Sequence, residues 1–139
     1  MVDKYTTWNE LKDNRRFSYG QIWLARDELI HLLPSDRLEE HRNTYRSRAV
    51  VIVQNCDEND DEESLLIRIA PLSTQTRFLQ KFDVLLFPET DGVISKCMAQ
   101  VQLSQAVLKK DLFKPVGEIS TEKKEEIAAV NLELLGIEL

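Results

Sequence analysis

An arginine and a serine stand at the ends of two predicted strands, where their side chains could contact a phosphate. Arg48 directly precedes the apolar residues 49–53, and polar residues follow that run. A bounded apolar run of this kind predicts a buried strand, so Arg48 lies at its mouth. A guanidinium in such a position can bind a phosphate through two parallel hydrogen bonds. The largely apolar residues 67–72 predict a second strand, which ends at the hydroxyl of Ser73.

The chemistry of this pair depends on whether the two strands are antiparallel neighbours. In that arrangement the start of one strand lies beside the end of the other. Arginine stays protonated in most sites, so Arg48 would stabilise charge on a phosphate and would not accept a proton. The hydroxyl of Ser73 would hydrogen-bond to a phosphate oxygen. The ordinary alternatives are an ion-paired arginine at a strand edge and a serine in a turn.

The segment directly before Arg48 is the concentrated basic stretch of the sequence. Residues 34–47 are polar and highly charged, and they predict a long loop with one helical turn. Loops of this length are often functional. Their arginines are interleaved with acidic residues: Arg37, Arg42 and Arg46 with Asp36, Glu39 and Glu40. Two interpretations stay open, namely contact with phosphates and a solvated loop whose charges pair with one another.

Other residue types that commonly do chemistry lack a supporting pattern. His31 and His41 are the side chains that titrate near neutral pH, but both are interpreted as ordinary loop or partly buried histidines. Cys56 and Cys97 make neither a disulfide framework nor a zinc site. The acidic residues 57–63 lack the glycine that a calcium loop needs at its sixth position. We therefore expect no metal and no cofactor.

Length and composition predict a single domain. The chain has 139 residues, of which 42% are hydrophobic, enough for a real core. The formal net charge of −6 argues against a general nucleic-acid coat protein, although it leaves room for a local basic groove. No apolar segment is long enough to cross a bilayer, and the N-terminus lacks a signal layout. We expect a soluble, cytoplasmic protein without membrane contact.

Short strands separated by turn residues predict an antiparallel barrel or sandwich. The predicted strands are residues 20–25, 49–53, 64–70, 83–87 and 98–103, with a turn at Asp91-Gly92. Pro71 is expected to end pairing, because proline has no N–H to donate. Residues 106–113 are interpreted as a short link before Pro115, with a helix as one interpretation.

The two ends of the chain carry helix signals. Thr7 is expected to cap a short helix in an N-terminal arm, residues 1–19, which lies on the domain of residues 20–139 or contacts a partner. The final helix is predicted from about residue 121 to residue 135. Ser120 is its N-cap, and Gly136 ends it.

Taken in order, these segments resemble the PemK/MazF-like toxins of type II toxin–antitoxin systems. The matching parts are residues 20–25 for the first strand, 48–55 for the arginine-led second, 70–73 for the third, Gln100 in a late strand, and the closing helix with Gly136-Ile137. The resemblance covers roughly residues 20–136.

This resemblance implies a mainly β fold, a small SH3-like barrel of the CcdB/PemK kind with a C-terminal α-helix and the N-terminal arm. It implies an endoribonuclease that cuts single-stranded RNA without a metal, by attack of the RNA 2′-hydroxyl on the adjacent phosphate. Arg48 would be the catalytic arginine, and Ser73 would replace the family's catalytic threonine. The expected RNA-binding residues are Arg42, Arg46, Thr74 and Gln100. A homodimer and an antitoxin protein are the implied partners.

Departures from the family pattern keep other functions open. The charged residues 34–47 replace a loop rich in proline and glycine, and Gln102 stands where the family often has an arginine. Together with the acidic net charge, they favour a catalytically degenerate barrel that binds protein or nucleic acid. A third interpretation is inhibition of DNA gyrase by protein binding, which would use a helix-borne interface at the C-terminus and would not depend on Arg48.

Overall fold

The computed structural model describes residues 3–40 and 42–138, without the side chains of Cys56 and Glu58. His41 and the Cys56 thiol, both considered above, therefore lie outside the described residues. Within them the chain forms seven strands and two α-helices. The strands are β1 (Gln21–Ala25), β2 (Arg48–Ile52), β3 (Leu66–Ser73), β4 (Asp83–Leu86), β5 (Cys97–Gln100), β6 (Gln105–Leu108) and β7 (Leu112–Glu118), and the helices are α1 (Cys56–Asn59) and α2 (Thr121–Leu134).

One long strand, β3, organises the antiparallel sheet. The strand order is β4-β5-β3-β2-β1-β7, and β6 also pairs with β3. The first half of β3 pairs with β6, and its last two residues pair with β5. The prediction of a mainly β fold with a C-terminal helix is confirmed. The order of the described strands does not close into a ring, so the closed barrel is not confirmed.

Alternate residues of the central strands face two separate cores. In β2, Val50 and Ile52 face the first core, which includes Phe17, while Val51 faces the second core. The second core lies beneath α2, whose Ile127 is fully buried. Because both faces of β2 are covered, its residues 49–52 are continuously apolar and do not alternate with polar residues.

Pro71 does not end pairing, contrary to the sequence-based expectation. Strand β3 continues to Ser73, and Pro71 pairs with Val50 of β2. On the other side of β3, β6 pairs as far as Ile69 and β5 pairs from Leu72 onward. Pro71 therefore lies in the gap between two partner strands, where no ladder on that side needs its N–H.

The region after β5 also differs from the prediction. Strand β5 ends at Gln100, and Val101–Leu103 form a 3-10 turn. The expected helical link at residues 106–113 is instead most of β6, a 3-10 turn and the start of β7. Pro115 is tolerated inside β7 because this strand lies at one end of the strand order, with only β1 beside it among the described strands.

The N-terminal segment begins with an exposed turn and ends in the core. Thr7 caps a 3-10 helix, Trp8–Leu11, as expected, and Trp8 is 75% exposed. Phe17 is fully buried, and its ring centroid lies 4.6 Å from that of Trp23. The segment is therefore attached to the domain through Phe17, while its tip lies in solvent.

The N-terminus of helix α2 is positioned by two side chains, its N-cap Ser120 and the buried Asp91. The Ser120 hydroxyl accepts a hydrogen bond from the Lys123 N–H, as predicted for an N-cap. Buried Asp91 accepts hydrogen bonds from the N–H groups of Phe87 and Ser120. The turn before β5 is thereby joined to the start of the helix. None of the described helices has the length and apolar character needed to cross a membrane.

Candidate active site

The two predicted catalytic residues lie at the same end of two neighbouring strands. Strands β2 and β3 are antiparallel, and their pairing ends at Val50 and Pro71. Arg48 begins β2 and Ser73 ends β3, each two residues beyond that pair. The Arg48 Nη1 donates a 2.9 Å hydrogen bond to the carbonyl oxygen of Leu72. The expected arrangement, with a strand start beside a strand end, is confirmed.

A buried carboxylate that the sequence analysis did not single out orients Arg48. The Arg48 Nε lies 2.6 Å from Oδ1 of Asp27, whose side chain is fully buried. The other oxygen of Asp27 accepts a 2.9 Å hydrogen bond from the Tyr45 N–H and lies 2.8 Å from Nη1 of Arg42. Burial alone would raise the pKa of Asp27, but the hydrogen bonds from Arg48, Tyr45 and Arg42 outweigh it and hold the pKa below its ordinary value.

Arg42 is bound by one residue of its own loop and by two residues that precede the loop. Besides Asp27, its guanidinium contacts Asp36 at 2.9 Å and the carbonyl oxygens of Asp27 and Ile30 at 3.1 and 3.0 Å. Its side chain is mostly buried. The interpretation in which the loop charges pair with one another therefore holds for Arg42. Arg46, by contrast, is exposed beside the mouth of β2.

Of the remaining predicted residues, Thr74 follows Ser73 in the chain and Gln100 lies on the neighbouring strand β5. The Ser73 hydroxyl accepts a 3.2 Å hydrogen bond from the Gln75 N–H, and Thr74 is exposed. Ser73 pairs with Met98 in β5, so Gln100 lies on the same face two residues further along. The Gln100 Oε1 is buried and has no hydrogen-bond partner within residues 3–40 and 42–138.

The other candidate groups, His31 and Cys97, make no side-chain hydrogen bond with Arg48 or Ser73 within the described residues. His31 is exposed, and its backbone hydrogen-bonds with the Gln105 side chain. Cys97 lies in the second core, where burial raises the pKa of its thiol to about 11. In the described part of the chain, no three or more His, Cys, Asp or Glu side chains are grouped as a metal site would require.

Asp27 could have been noticed in the sequence, since it is an acidic residue two positions after the end of the half-buried strand β1 and ahead of an arginine-rich loop. The pairing itself joins residues 21 apart in the chain, and no local pattern specifies such a contact.

Comparison with known proteins identifies the family of this chain. Residues 21–134 match the family described as the PemK-like, MazF-like toxin of type II toxin–antitoxin systems, and the chain belongs to that family. No curated protein sequence matches the chain.

Solved structures of the same fold include toxins from two bacterial groups. A MazE–MazF structure from Deinococcus radiodurans is 13% identical with a TM-score of 0.63, covering 89% of this chain and 99% of that one. The Mycobacterium tuberculosis toxin MazF-mt6 is 14% identical with a TM-score of 0.63, covering 86% and 99%. A mycobacterial endoribonuclease in complex with its cognate antitoxin is 15% identical with a TM-score of 0.61, covering 89% and 97%. At these identities the likeness shows the fold.

Proposed function

We propose that this protein is an endoribonuclease toxin that cleaves single-stranded RNA without a metal ion. The observation that carries the proposal is the position of Arg48 at the start of β2, beside the end of β3 that carries Ser73, with its guanidinium fixed by Asp27 and by the Leu72 carbonyl. Membership of the toxin family supports the same activity. A cation and a hydroxyl held side by side suit the binding of a phosphodiester.

The reaction would be a transfer within the RNA strand. The 2′-oxygen loses its proton and forms a bond to the adjacent phosphorus, and the bond from phosphorus to the 5′-oxygen breaks. The 5′-oxygen takes up a proton, so the products are a 2′,3′-cyclic phosphate and a 5′-hydroxyl. Arg48 would stabilise the charge that develops on the phosphorane, and Ser73 would donate a hydrogen bond to one of its oxygens.

The geometry of Arg48 supports this role. Two of its nitrogens are used by Asp27 and Leu72, and Nη2 has no hydrogen-bond partner among the described residues. The side chain is 14% exposed, so it is held in place but is not sealed from solvent. A guanidinium oriented before the substrate arrives needs little reorganisation during the reaction.

The wider assignment follows from the family and from the surroundings of the pair. We propose that Arg46, Thr74 and Gln100 contact the RNA, and that Arg42 supports the loop without reaching the substrate. We propose a homodimer in the cytoplasm, inhibited by an antitoxin protein. The neighbours titled as complexes with an antitoxin support that partner.

One observation favours a second function, a non-catalytic binding module. The same buried carboxylate contacts both Arg48 and Arg42, so part of their charge is neutralised within the fold. Gln102 is exposed and adds no cation. A barrel of this kind would bind an antitoxin or nucleic acid and leave RNA intact.

The test is cleavage of a long single-stranded RNA by the purified protein in EDTA. Arg48→Ala is expected to lower the rate by about 10²–10³-fold, the effect of removing one donor that stabilises the transition state. Ser73→Ala is expected to lower it by about tenfold, since one hydrogen bond to a charged group is lost. Arg68→Ala is the matched control, because Arg68 is an exposed arginine at the opposite end of β3.

Folding must be separated from activity in this experiment. Arg48→Lys keeps a charge beside Asp27 but loses the planar fork, so it should fold and still cut slowly. Thermal unfolding of every variant identifies those that lose activity by unfolding. A folded parent that leaves RNA intact in both EDTA and magnesium would exclude the nuclease for that substrate and support the binding module.

A further inference from the structure

The connection between β3 and β4 has an unusual composition for this chain. Residues 74–82, Thr-Gln-Thr-Arg-Phe-Leu-Gln-Lys-Phe, contain two cations, two aromatic rings and no acidic residue, although the whole chain has 24 acidic and 18 basic residues. The segment starts directly after Ser73. Cations interleaved with aromatic rings are typical of surfaces that bind single-stranded nucleic acids.

The cations of this segment lie over its rings. The guanidinium carbon of Arg77 lies 4.7 Å from the centroid of the Phe78 ring, and Phe78 is 58% exposed. Lys81 lies 5.3 Å from the Phe82 centroid and also contacts Glu133 at 3.3 Å in an exposed ion pair. Arg77 is exposed and makes no ion pair with any of the described residues. Arg77 and Phe78 thus present a cation and an aromatic ring to solvent together.

Tight turns hold this pair near the candidate active site. The Phe78 N–H donates to the Gln75 carbonyl at 3.0 Å, and the Gln75 N–H donates to the Ser73 hydroxyl at 3.2 Å. Even a fully extended chain of five residues spans no more than roughly 18 Å, and these turns shorten the path. An RNA strand of a few nucleotides could reach from Arg48 to Phe78.

We propose that Arg77 and Phe78 form a platform on which one unpaired base of the RNA stacks, while its backbone passes Arg48 and Ser73. The inference rests on the proposed function, because it takes the same RNA strand as the ligand. Phe78 supplies the stacking surface for the base, and Arg77 supplies charge for a neighbouring phosphate. Since every base has a π face, the platform tolerates many sequences, and its main contribution is affinity.

A nucleic acid fits these side chains better than an acidic peptide does. A peptide helix or strand needs an apolar groove, whereas the apolar surface of the segment consists of Phe78 and its neighbour Leu79, both standing out of the fold. A flat ring with a guanidinium over it matches a flat base followed by a phosphate.

The test is fluorescence anisotropy with a labelled, mixed-sequence RNA in which every 2′-hydroxyl is methylated. Methylation removes the attacking group, so binding is measured whether or not the protein cleaves RNA. Phe78→Ala is expected to weaken binding about tenfold, the typical effect of losing one base–aromatic stack. Phe78→Trp is expected to retain binding. Phe113→Ala is the matched control, because Phe113 is 48% exposed on β7, at the opposite end of the strand order from β4.

An abasic oligonucleotide separates stacking from charge. Phe78→Ala should not change its affinity, while Arg77→Ala should weaken both the abasic and the intact strand. Arg68→Ala again controls for the loss of an exposed arginine.

The outcomes distinguish this inference from the proposed function. A Phe78→Ala protein that binds the intact strand as tightly as the parent overturns the platform, even if the parent cleaves RNA. A parent that binds through Phe78 but cuts no RNA overturns the nuclease and keeps the platform. A parent that binds no RNA overturns the platform. A loss of poly-glutamate binding in Phe78→Ala with RNA binding unchanged would assign the surface to an acidic protein.

Discussion

At the residue scale, Asp27 determines how Arg48 is presented. A fully buried carboxylate is costly to leave unpaired. Both oxygens of Asp27 have partners, namely Arg48, Arg42 and the Tyr45 N–H. The arrangement fixes the guanidinium beside Ser73 before any substrate binds. We therefore regard Asp27 as a positioning residue that acts through Arg48.

Asp27→Asn should destabilise the protein and also lower its activity. Two largely buried arginines would lose their shared counter-charge, at a cost of about 3 kcal/mol in the free energy of unfolding. Arg48→Lys should then have little further effect on the cleavage rate, since the fork is already misplaced. Asp36→Asn is the control, because Asp36 is more exposed than Asp27 and contacts Arg42 but not Arg48. This substitution should lower the free energy of unfolding by about 1 kcal/mol or less. Urea unfolding of Asp27→Asn and Asp36→Asn measures the two stability costs, and RNA cleavage measures the effect of adding Arg48→Lys. Equal costs for Asp27→Asn and Asp36→Asn would contradict the positioning role.

The contribution of Asp27 to the free energy of unfolding should change with pH only at acidic pH. Its pKa in the folded protein lies below the ordinary value, so its contribution is fully present above about pH 4 and is lost as the pH falls through the folded-state pKa. The stability difference between the parent and Asp27→Asn should therefore be smaller at about pH 3 than at about pH 7. Urea unfolding at the two pH values checks this, and an unchanged difference would mean that Asp27 is not ionised in the way described.

At the scale of elements, close contact between two glycines joins the turn before β5 to strand β7. Gly92 has a φ of +64°, and a Cβ at this position would lie 2.8 Å from the backbone nitrogen and oxygen of Glu118. A Cβ on Gly117 would in turn collide with the carbonyl oxygen of Gly92. With Asp91 hydrogen-bonded to Ser120, this contact sets where α2 begins.

Gly92→Ala should be considerably more destabilising than Gly136→Ala. Both glycines have a positive φ, so each alanine costs about 1 kcal/mol for the left-handed backbone. Nothing lies within 4 Å of a Cβ at Gly136, whereas the alanine at Gly92 must also displace β7. We expect a total of about 3 kcal/mol or more for Gly92→Ala, measured by thermal unfolding. Equal losses would show that the turn can move away from β7 freely.

The sequence predicts those elements whose signals are local. The apolar run of β2 and the cap of α2 by Ser120 identify their elements from neighbouring residues alone. Strands β6 and β7 were missed because residues 106–113 have no clear period, and Pro115 obscures an edge strand. The positions of Arg48 and Ser73 at strand ends were predicted from the sequence, while their catalytic roles are implied by the family resemblance and stay predictions. Asp27 was missed because its contacts are made only after the loop of residues 34–47 has folded back.

At the scale of the whole molecule, the first core includes part of the N-terminal segment. Phe17 packs on Trp23, and Arg15 lies 5.4 Å from the Phe17 centroid and 5.3 Å from the Trp23 centroid. Arg15 also donates to the carbonyl oxygens of Lys109, in the turn before β7, and of Leu112, the first residue of β7. The segment therefore stabilises the sheet near β7, while the side chain of Trp8 is exposed to solvent.

Phe17→Ala should lower the free energy of unfolding by about 3–5 kcal/mol, since a fully buried ring is removed. Trp8→Ala, at a larger but exposed ring, should change it by less than about 0.5 kcal/mol. Chemical denaturation followed by circular dichroism measures both, and a single transition is expected because the arm and the sheet share one core. A second, earlier transition in the parent would show that the arm unfolds independently.

The ion pairs of Asp27 also limit how this protein can be re-engineered. Its acceptor oxygens are shared between strand β2 and the loop of residues 34–47, so the loop is part of the support for Arg48. Loop exchange between homologues is a natural way to alter which RNA is cut. Here a transplanted loop that lacks an equivalent of Arg42 would leave one oxygen of the buried Asp27 carboxylate without its guanidinium partner. Arg48 would then lose its orientation. A useful chimera must therefore carry an arginine for Asp27 along with its new specificity.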